Sequence, residues 1–328
     1  VPRQIRTWRA LLLALACALV AAPPARAQPA APPPGAEPIR VLVGFPPGST
    51  VDQIARAVAA GMATRLHRPV EVENRTGGRG NLAGQALAAA VPDGNTLGIV
   101  PASILVLDRH LTRQTGYDPQ ADLTPISRLA ATPLLVLAPA GQGVRSIADL
   151  ADALKARPGS CGTSGAASIS HLTLELLLRT LNTRCDMIHF RGRTSVVSEL
   201  ISGGIQVYVE TAVIGLPLVR EGRVRPLAVT SRARSPLLPE VPTVGETIPG
   251  FEAETWVALM GPRGLPEVLA KQFEAAAIAA VRDPAVAARL RALAADPVGG
   301  TRAELAATIR AQDSIWGPVA RAAGVTAD

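Results

Sequence analysis

The stretch that decides the fold is "VLVGFPPGSTVDQIARAV", Val41–Val58. Four apolar residues run into Pro-Pro-Gly-Ser-Thr, and an amphipathic helical pattern follows at once. Prolines preset φ and lack an N–H, and the glycine permits a tight bend. Ser49 and Thr50 are residues that cap a helix start. The first N–H groups of a helix have no partner inside the helix, so such a loop attracts an anion. A tight turn with a capped helix and nothing bound is the plainer reading of the same residues.

Working outward, the pattern repeats. "IRVLVGF" reads as a strand, the segment after Ser49 as a helix, "VEVEN" as a strand, "NLAGQALAAAV" as a helix and "NTLGIVP" as a strand. Strands alternating with helices across Gly/Pro/Asn turns predict parallel α/β architecture. "PISRLAATPLLVLAPA" (Pro125–Ala140) is one long extended run broken at Pro133, long enough to pass from one domain to another. A second series follows. "SIADLADALKARPG" is a helix with Ser146 as N-cap, "SCGTSG" a strand and its loop, and "ISHLTLELLLRTL" a helix. "DMIHF" is a strand, "SVVSELISGG" a helix, "IQVYVE" a strand, "LPLVREG" a short helix and "VRPLAVT" a strand. "ETWVALMGP" is a strand that crosses back, and helices finish the chain.

Both halves therefore run strand, small-residue loop, helix: "VGFPPGSTVDQIARAV" and "CGTSGAASISHLTLELL". Neither carries the Gly-Lys-Ser/Thr of a phosphate-binding P-loop or a G-x-G-x-x-G. Facing each other, the two loops would offer two helix N-termini to one small anion.

Composition narrows the class. The chain has 328 residues, 48% hydrophobic and 18% charged, enough for about two domains with a large core. Aromatics at 3% argue against single-stranded nucleic-acid binding, which stacks bases on aromatic platforms. The formal charge of +7 includes Arg3, Arg6, Arg9 and Arg26 in a leader with no acid; without them it is +3. That leader has a positive start, an apolar run (Ala10–Ala22) and "ARA" at Ala25–Ala27, the form of a secretory signal cleaved near Ala27. The alternative is a lipoprotein acylated on Cys17, although Cys17 lies inside the apolar run. Residues 28–37 read as a Pro/Ala-rich leader to the fold.

Cleavage leaves Cys161 and Cys185, and an oxidising compartment permits a disulfide between them; two buried thiols are the other reading. They begin two strands expected to be parallel neighbours, a spacing a disulfide can bridge. His67, His110, His171 and His189 show no metal-ligand spacing. A hydrolase would need Ser164 or Ser168 with His171, and no G-x-S-x-G elbow exists. Trp256 reads as core near a hinge.

The order of motifs resembles the periplasmic receptors of tripartite tricarboxylate transporters, the Bug-type receptors. The matching pieces are "GFPPGSTVDQIAR", "VEVENRTGGRGNLAG", "PDGNTLG", "YDPQADLTPISRLA", "GTSGAASISHL", "SGGIQVYVE", "EGRVRPLAVTSRARSPLLPEVPTVGE" and "GFEAETWVALMGPRGLP", over about residues 38–266. The resemblance implies an α/β, two-lobed, periplasmic-binding-protein-like clam-shell with two parallel-type lobes and two crossover segments. It places lobe 1 at 38–131 and 252–328, and lobe 2 at 132–251. It implies no catalysis, no cofactor and no metal. A small carboxylate, an organic acid or amino acid, would lie between the lobes and pass to membrane permease subunits. A periplasmic sensor signalling to a membrane kinase is the alternative. A monomer is expected, with no nucleic-acid partner.

Carried over residue by residue, the first loop is Phe45, Pro46, Pro47, Gly48, Ser49 and Thr50. The second is Thr163, Ser164, Gly165, Ala166, Ala167 and Ser168, leading to His171. Ser103 follows the third strand of lobe 1, and Glu210 ends a strand of lobe 2. The second loop is expected to hold the carboxylate through backbone N–H groups and the hydroxyls of Thr163, Ser164 and Ser168. Glu210 is expected to repel a second carboxylate and to welcome an ammonium or hydroxyl. Arg191 reads equally as a carboxylate clamp or a surface residue. Ser49 stands where the family usually has a second Gly, Glu210-Thr211 where it has an Asp-Asn-like pair, and Phe190-Arg191-Gly192 where it has Tyr-Lys-Gly. The ligand is therefore not inherited from any relative.

Overall fold

The computed structural model describes residues 37–112 and 115–325. The expected signal sequence, Cys17 and nearly all of the Pro/Ala-rich leader lie outside the described residues.

The first series forms as its pattern predicts. β1 (Ile39–Val43), α1 (Thr50–Leu66), β2 (Val70–Asn74), α2 (Asn81–Ala88) and β3 (Thr96–Pro101) follow in order. β1 pairs in parallel with both β2 and β3, and its residues are almost all buried, as a strand covered on both faces requires. The apolar run after β3 forms a wide turn of helix at Ser103–Leu107 and a short helix at Asp108–Leu111, neither assigned from the sequence.

β4 (Leu123–Pro139) is one strand of 17 residues. It runs straight through Pro133, because its partner changes there. Residues 123–133 pair antiparallel with β9 (Glu254–Pro262), and residues 134–139 pair with β7 (Val207–Thr211) and β8 (Val224–Val229). A proline costs no ladder bond at such a change of partner. Bulges fall between Pro125 and Ser127 and between Arg128 and Ala130. β9 also pairs antiparallel with β3, so β4 and β9 both tie the two halves together. Thr230, just after β8, donates its N–H to the Leu134 carbonyl and accepts from the Ala253 N–H. It thereby pins the second crossing to the first.

The second series is α3 (Ile147–Ala156), β5 (Ser160–Thr163), α4 (Ile169–Thr180), β6 (Asp186–His189), α5 (Arg193–Ser202), β7, α6 (Ala212–Arg220) and β8. α3 carries its expected cap, the Ser146 hydroxyl accepting from Asp149 N–H. β5 lies between β6 and β7, parallel to both. The chain closes with α7 (Glu267–Arg282), α8 (Pro284–Ala292), β10 (Asp296–Pro297) and α9 (Arg302–Ala323). β10, a two-residue strand on β4, carries no periodic signal and was not expected.

The Cys161–Cys185 disulfide is present, with Cα atoms 5.9 Å apart. It joins β5 to the head of β6, the exposed last strand of the sheet.

Three apolar clusters show which face each helix covers. One packs α1, α7 and α8 against β1, β3 and β9. Another packs α5 and α6 against the far end of β4 and β8. The third continues across both halves and takes in α2, α3, α4 and α9. Trp256 belongs there: it is buried, and its indole N–H donates to Gln312 on α9 at 2.8 Å.

Candidate functional site

A cavity of about 200 Å³ lies where the two halves meet. α1 contributes Thr50, Val51 and Ile54, β3 its last residue Pro101, and β9 Thr255, Trp256 and Val257. From β4 come Ala130 and Thr132, from β7 Thr211, from α6 Val213 and Ile214, and from α5 Arg193. Ala130 lies opposite Val257, and Thr132 opposite Thr255. Cross-strand partners share a face, so these four side chains form the floor, while Ala131 and Trp256 point to the α9 side. The walls are mostly apolar with a few hydroxyls and one guanidinium, the make-up of a site for a small amphipathic ligand.

The first loop is rigidly built. Asp52 is fully buried and organises it. Its carboxylate accepts from Gly48 N–H at 2.8 Å, from Asn74 Nδ2 at 2.8 Å and from Arg56 Nε at 3.0 Å. Burial pushes the Asp52 carboxyl up, but the hydrogen bonds from Arg56, Asn74 and Gly48 outweigh it and hold the group below its ordinary value. Ser49 caps α1 by accepting from Asp52 N–H, and its own N–H is used on the Pro46 carbonyl. Phe45 packs beside Gly80 and Ile104; a Cβ on Gly44 would lie 2.5 Å from Gly80 Cα. Of the first-loop residues, Thr50 lines the cavity, while Phe45, Pro47, Gly48 and Ser49 do not. Ser103 is half-buried at the start of the wide turn and is not in the lining.

The second loop is turned inward. Ser168 caps α4: its hydroxyl accepts from His171 N–H at 3.1 Å and donates to the Gly165 carbonyl at 2.9 Å. Ala167, at φ +59°, donates its N–H to His171 Nδ1 at 3.1 Å. His171 is buried; the Ala167 N–H makes its Nδ1 an acceptor, and its Nε2 lies 3.7 Å from Glu175. Its ring meets His189 edge-on at 4.7 Å, and burial is the main cause that lowers the His189 pKa. The Thr163 hydroxyl is 2.8 Å from His189 Nδ1. The Ala167 N–H and the hydroxyls of Thr163 and Ser168 are therefore already engaged, and His171 is occupied in shaping the loop. The reason is the face of the sheet: α4 packs with α9, on the side away from α1, α5 and α6.

Glu210 departs from its expected role. It is 1% exposed, and both carboxylate oxygens are in use. Thr211 donates its N–H at 2.7 Å and its hydroxyl at 3.1 Å to Oε1, and the Tyr208 hydroxyl donates to Oε2. Arg193 Nε lies 3.4 Å from Oε2. Burial and the Glu210 charge push the Tyr208 hydroxyl's pKa up, against a smaller lowering pull from Ser164 beside the same hydroxyl. A chain of contacts thus runs from Ser164 of the second loop through Tyr208 and Glu210 to Arg193 at the cavity.

The cavity lining includes Thr211, which the sequence names only as half of the Glu210-Thr211 pair, and Arg193, which the sequence does not single out. Arg191, two residues away, was the clamp candidate; it is exposed and outside the lining. Gly192 at φ +100° starts α5 so that Arg193 is its first residue. Thr211 is the N-cap residue of α6, yet its side chain makes no cap bond because the hydroxyl is committed to Glu210. The first N–H groups of α6 are left without that cap beside the cavity. A Thr before an apolar helical run is a visible signal; its diversion to Glu210 is not.

The architecture is that of a periplasmic-binding-protein-like, two-lobed α/β receptor fold. Comparison with known proteins gives the family. Residues 54–325 match the family described as tripartite tricarboxylate transporter family receptor. The chain belongs to that family. It is 31% identical to protein BugT of Bordetella pertussis over 293 residues, 88% of this chain and 90% of that one. Among solved structures it is similar to the adipate-bound Rpa4515 of R. palustris, with 30% identity, a TM-score of 0.71 and coverage of 88% and 97% of the two chains. It is also similar to malate-bound MatC of Rhodopseudomonas palustris, at 30% identity, a TM-score of 0.66 and coverage of 86% and 98%. A ligand-free TctC solute-binding protein from Polaromonas shares the fold at a TM-score of 0.79 with 21% identity, covering 86% and 97%. The family is one of receptors, and this chain is a receptor rather than an enzyme.

Proposed function

We propose that this chain captures a small carboxylate in the periplasm, between lobe 1 (38–131 and 252–328) and lobe 2 (132–251), and delivers it to the membrane subunits of a tripartite permease. The observation that carries the reading is the cavity between the two halves. There the starts of α1, α5 and α6 converge on a mostly apolar chamber holding one guanidinium. Helix N-termini and an arginine are what an anion needs, and apolar walls suit its carbon body. The chamber is smaller than the roughly 300–1,000 Å³ of drug-sized sites, which fits a metabolite acid. The acids bound by the two similar proteins, adipate and malate, support the class.

The disulfide and the leader with its cleavage motif support export. Among the described residues no helix is long and apolar enough to cross a membrane. Closure of the lobes over the acid would create the form a permease recognises. The test is calorimetry against di- and tricarboxylates, aromatic acids and amino acids, followed by uptake of the best binder in cells with and without the receptor. Binding of an acid with loss of its uptake in the deletion strain supports the reading. Binding without any effect on uptake points to a sensor, and no binding of any acid overturns the receptor role.

A further inference from the structure

Resting on that carboxylate reading, we infer that Arg193 and Glu210 act together as a specificity device: Arg193 grips the ligand's carboxylate, and the pair excludes ligands with an α-ammonium group. Glu210 alone would invite an ammonium. Here its oxygens are filled by Thr211 and Tyr208, and Arg193 lies against the side that remains. The Arg193 side chain is 62% exposed, and only Nε is turned to Glu210, so the two outer nitrogens remain for a ligand. The same carboxylate fixes the Thr211 hydroxyl, which keeps it from capping α6 and leaves that helix start to the anion.

Beyond the head group the chamber turns apolar, through Val51, Ile54, Val213, Ile214 and Val257. Among the described residues no acidic side chain lines it to receive an ammonium. An α-ammonium would sit beside the guanidinium in a partly desolvated space, where like charges repel strongly. Arg193 is thus a ligand-binding residue, and Glu210, Tyr208 and Ser164 are positioning residues.

The experiment uses matched acids that differ only in the α-ammonium: hexanoate against norleucine, and adipate against 2-aminoadipate. Calorimetry of the full receptor is expected to give at least tenfold tighter binding for the ammonium-free member of whichever pair binds. Arg193→Gln is expected to weaken that acid at least tenfold. It is also expected to shrink or reverse the preference within the pair, because Glu210 is then uncompensated. Arg193→Lys keeps a cation and is expected to keep the preference with weaker affinity. Arg193 is exposed, so an unchanged melting curve shows that the variants fold. Tighter binding of either amino acid by the parent, or an unchanged preference in Arg193→Gln, overturns the inference while the receptor role stands. If none of the four acids nor any acid of the wider panel binds, the carboxylate reading falls and the inference with it.

Discussion

Removing the Cys161–Cys185 bond tests how the second half holds its binding elements in place. The two residues are 24 apart in sequence. On the chain-entropy account, closing a loop of that length takes about 12 cal/mol/K from the unfolded chain, or about 3.4 kcal/mol at 25 °C. Native contacts do little to replace it locally. β6 is a four-residue edge strand with a largely exposed pattern, bonded on one side to β5. Past β6 the chain makes only a short turn before Arg193, so a loosened β6 loosens the guanidinium too. The perturbation is Cys161→Ala with Cys185→Ala, compared with the parent in urea. With a slope of about 3 kcal/mol/M, the top of the range for small proteins, the midpoint should fall by about 1.1 M. The same variant should bind its acid more weakly through faster dissociation. A midpoint within about 0.3 M of the parent would refute the reasoning. So would two reactive thiols, in addition to any from Cys17, in denatured and unreduced protein.

Other outcomes follow from single contacts. Tyr208→Phe removes a buried donor to Glu210 and should cost about 1–3 kcal/mol in equilibrium unfolding, while weakening ligand binding because the freed Oε2 draws Arg193 toward Glu210. Ser168→Ala removes the α4 cap and should cost about 1 kcal/mol; a bulky Ser168→Trp should lose the same cap and melt lower than the parent even without ligand. The depressed Asp52 carboxyl contributes stability above its unfolded value of about 3.9, which is lost as pH falls through the lower folded value. Asp52→Asn should therefore be less stable than the parent at neutral pH, and acid melts should show the gap closing below about pH 4. Asp108 is the opposite case: burial raises its carboxyl against the pull of Asn81 and Arg79, so stability is lost as pH rises through that range. Asn81 Oδ1 and Asp108 Oδ1 also lack hydrogen-bond partners. Asp108→Asn supplies a donor without the charge and should melt higher than the parent at pH 7, with the difference vanishing in acid.

The sequence by itself determined the alternation of strands and helices, because burial on both faces writes continuous apolar runs such as "IRVLV" and packed helices write a 3.6-residue period. It determined the helix starts at Ser49 and Ser146, because a cap is a contact between residues three apart. It also placed the two cysteines at the heads of adjacent strands. The short β10 strand was illegible, since two residues carry no period and pair only because β4 passes by. Only the tertiary structure decided which face of the sheet each helix covers. That choice sends α4 and its loop toward α9 and brings α5 and α6 across from α1, so Arg193 and Thr211 line the cavity while His171 and Ser168 support their own loop. It likewise decided that Glu210 faces an arginine from the start of α5, the helix that precedes its own strand, rather than open space. Such pairings join residues far apart in the chain, and a carboxylate's charge has no fixed meaning until its neighbour is known.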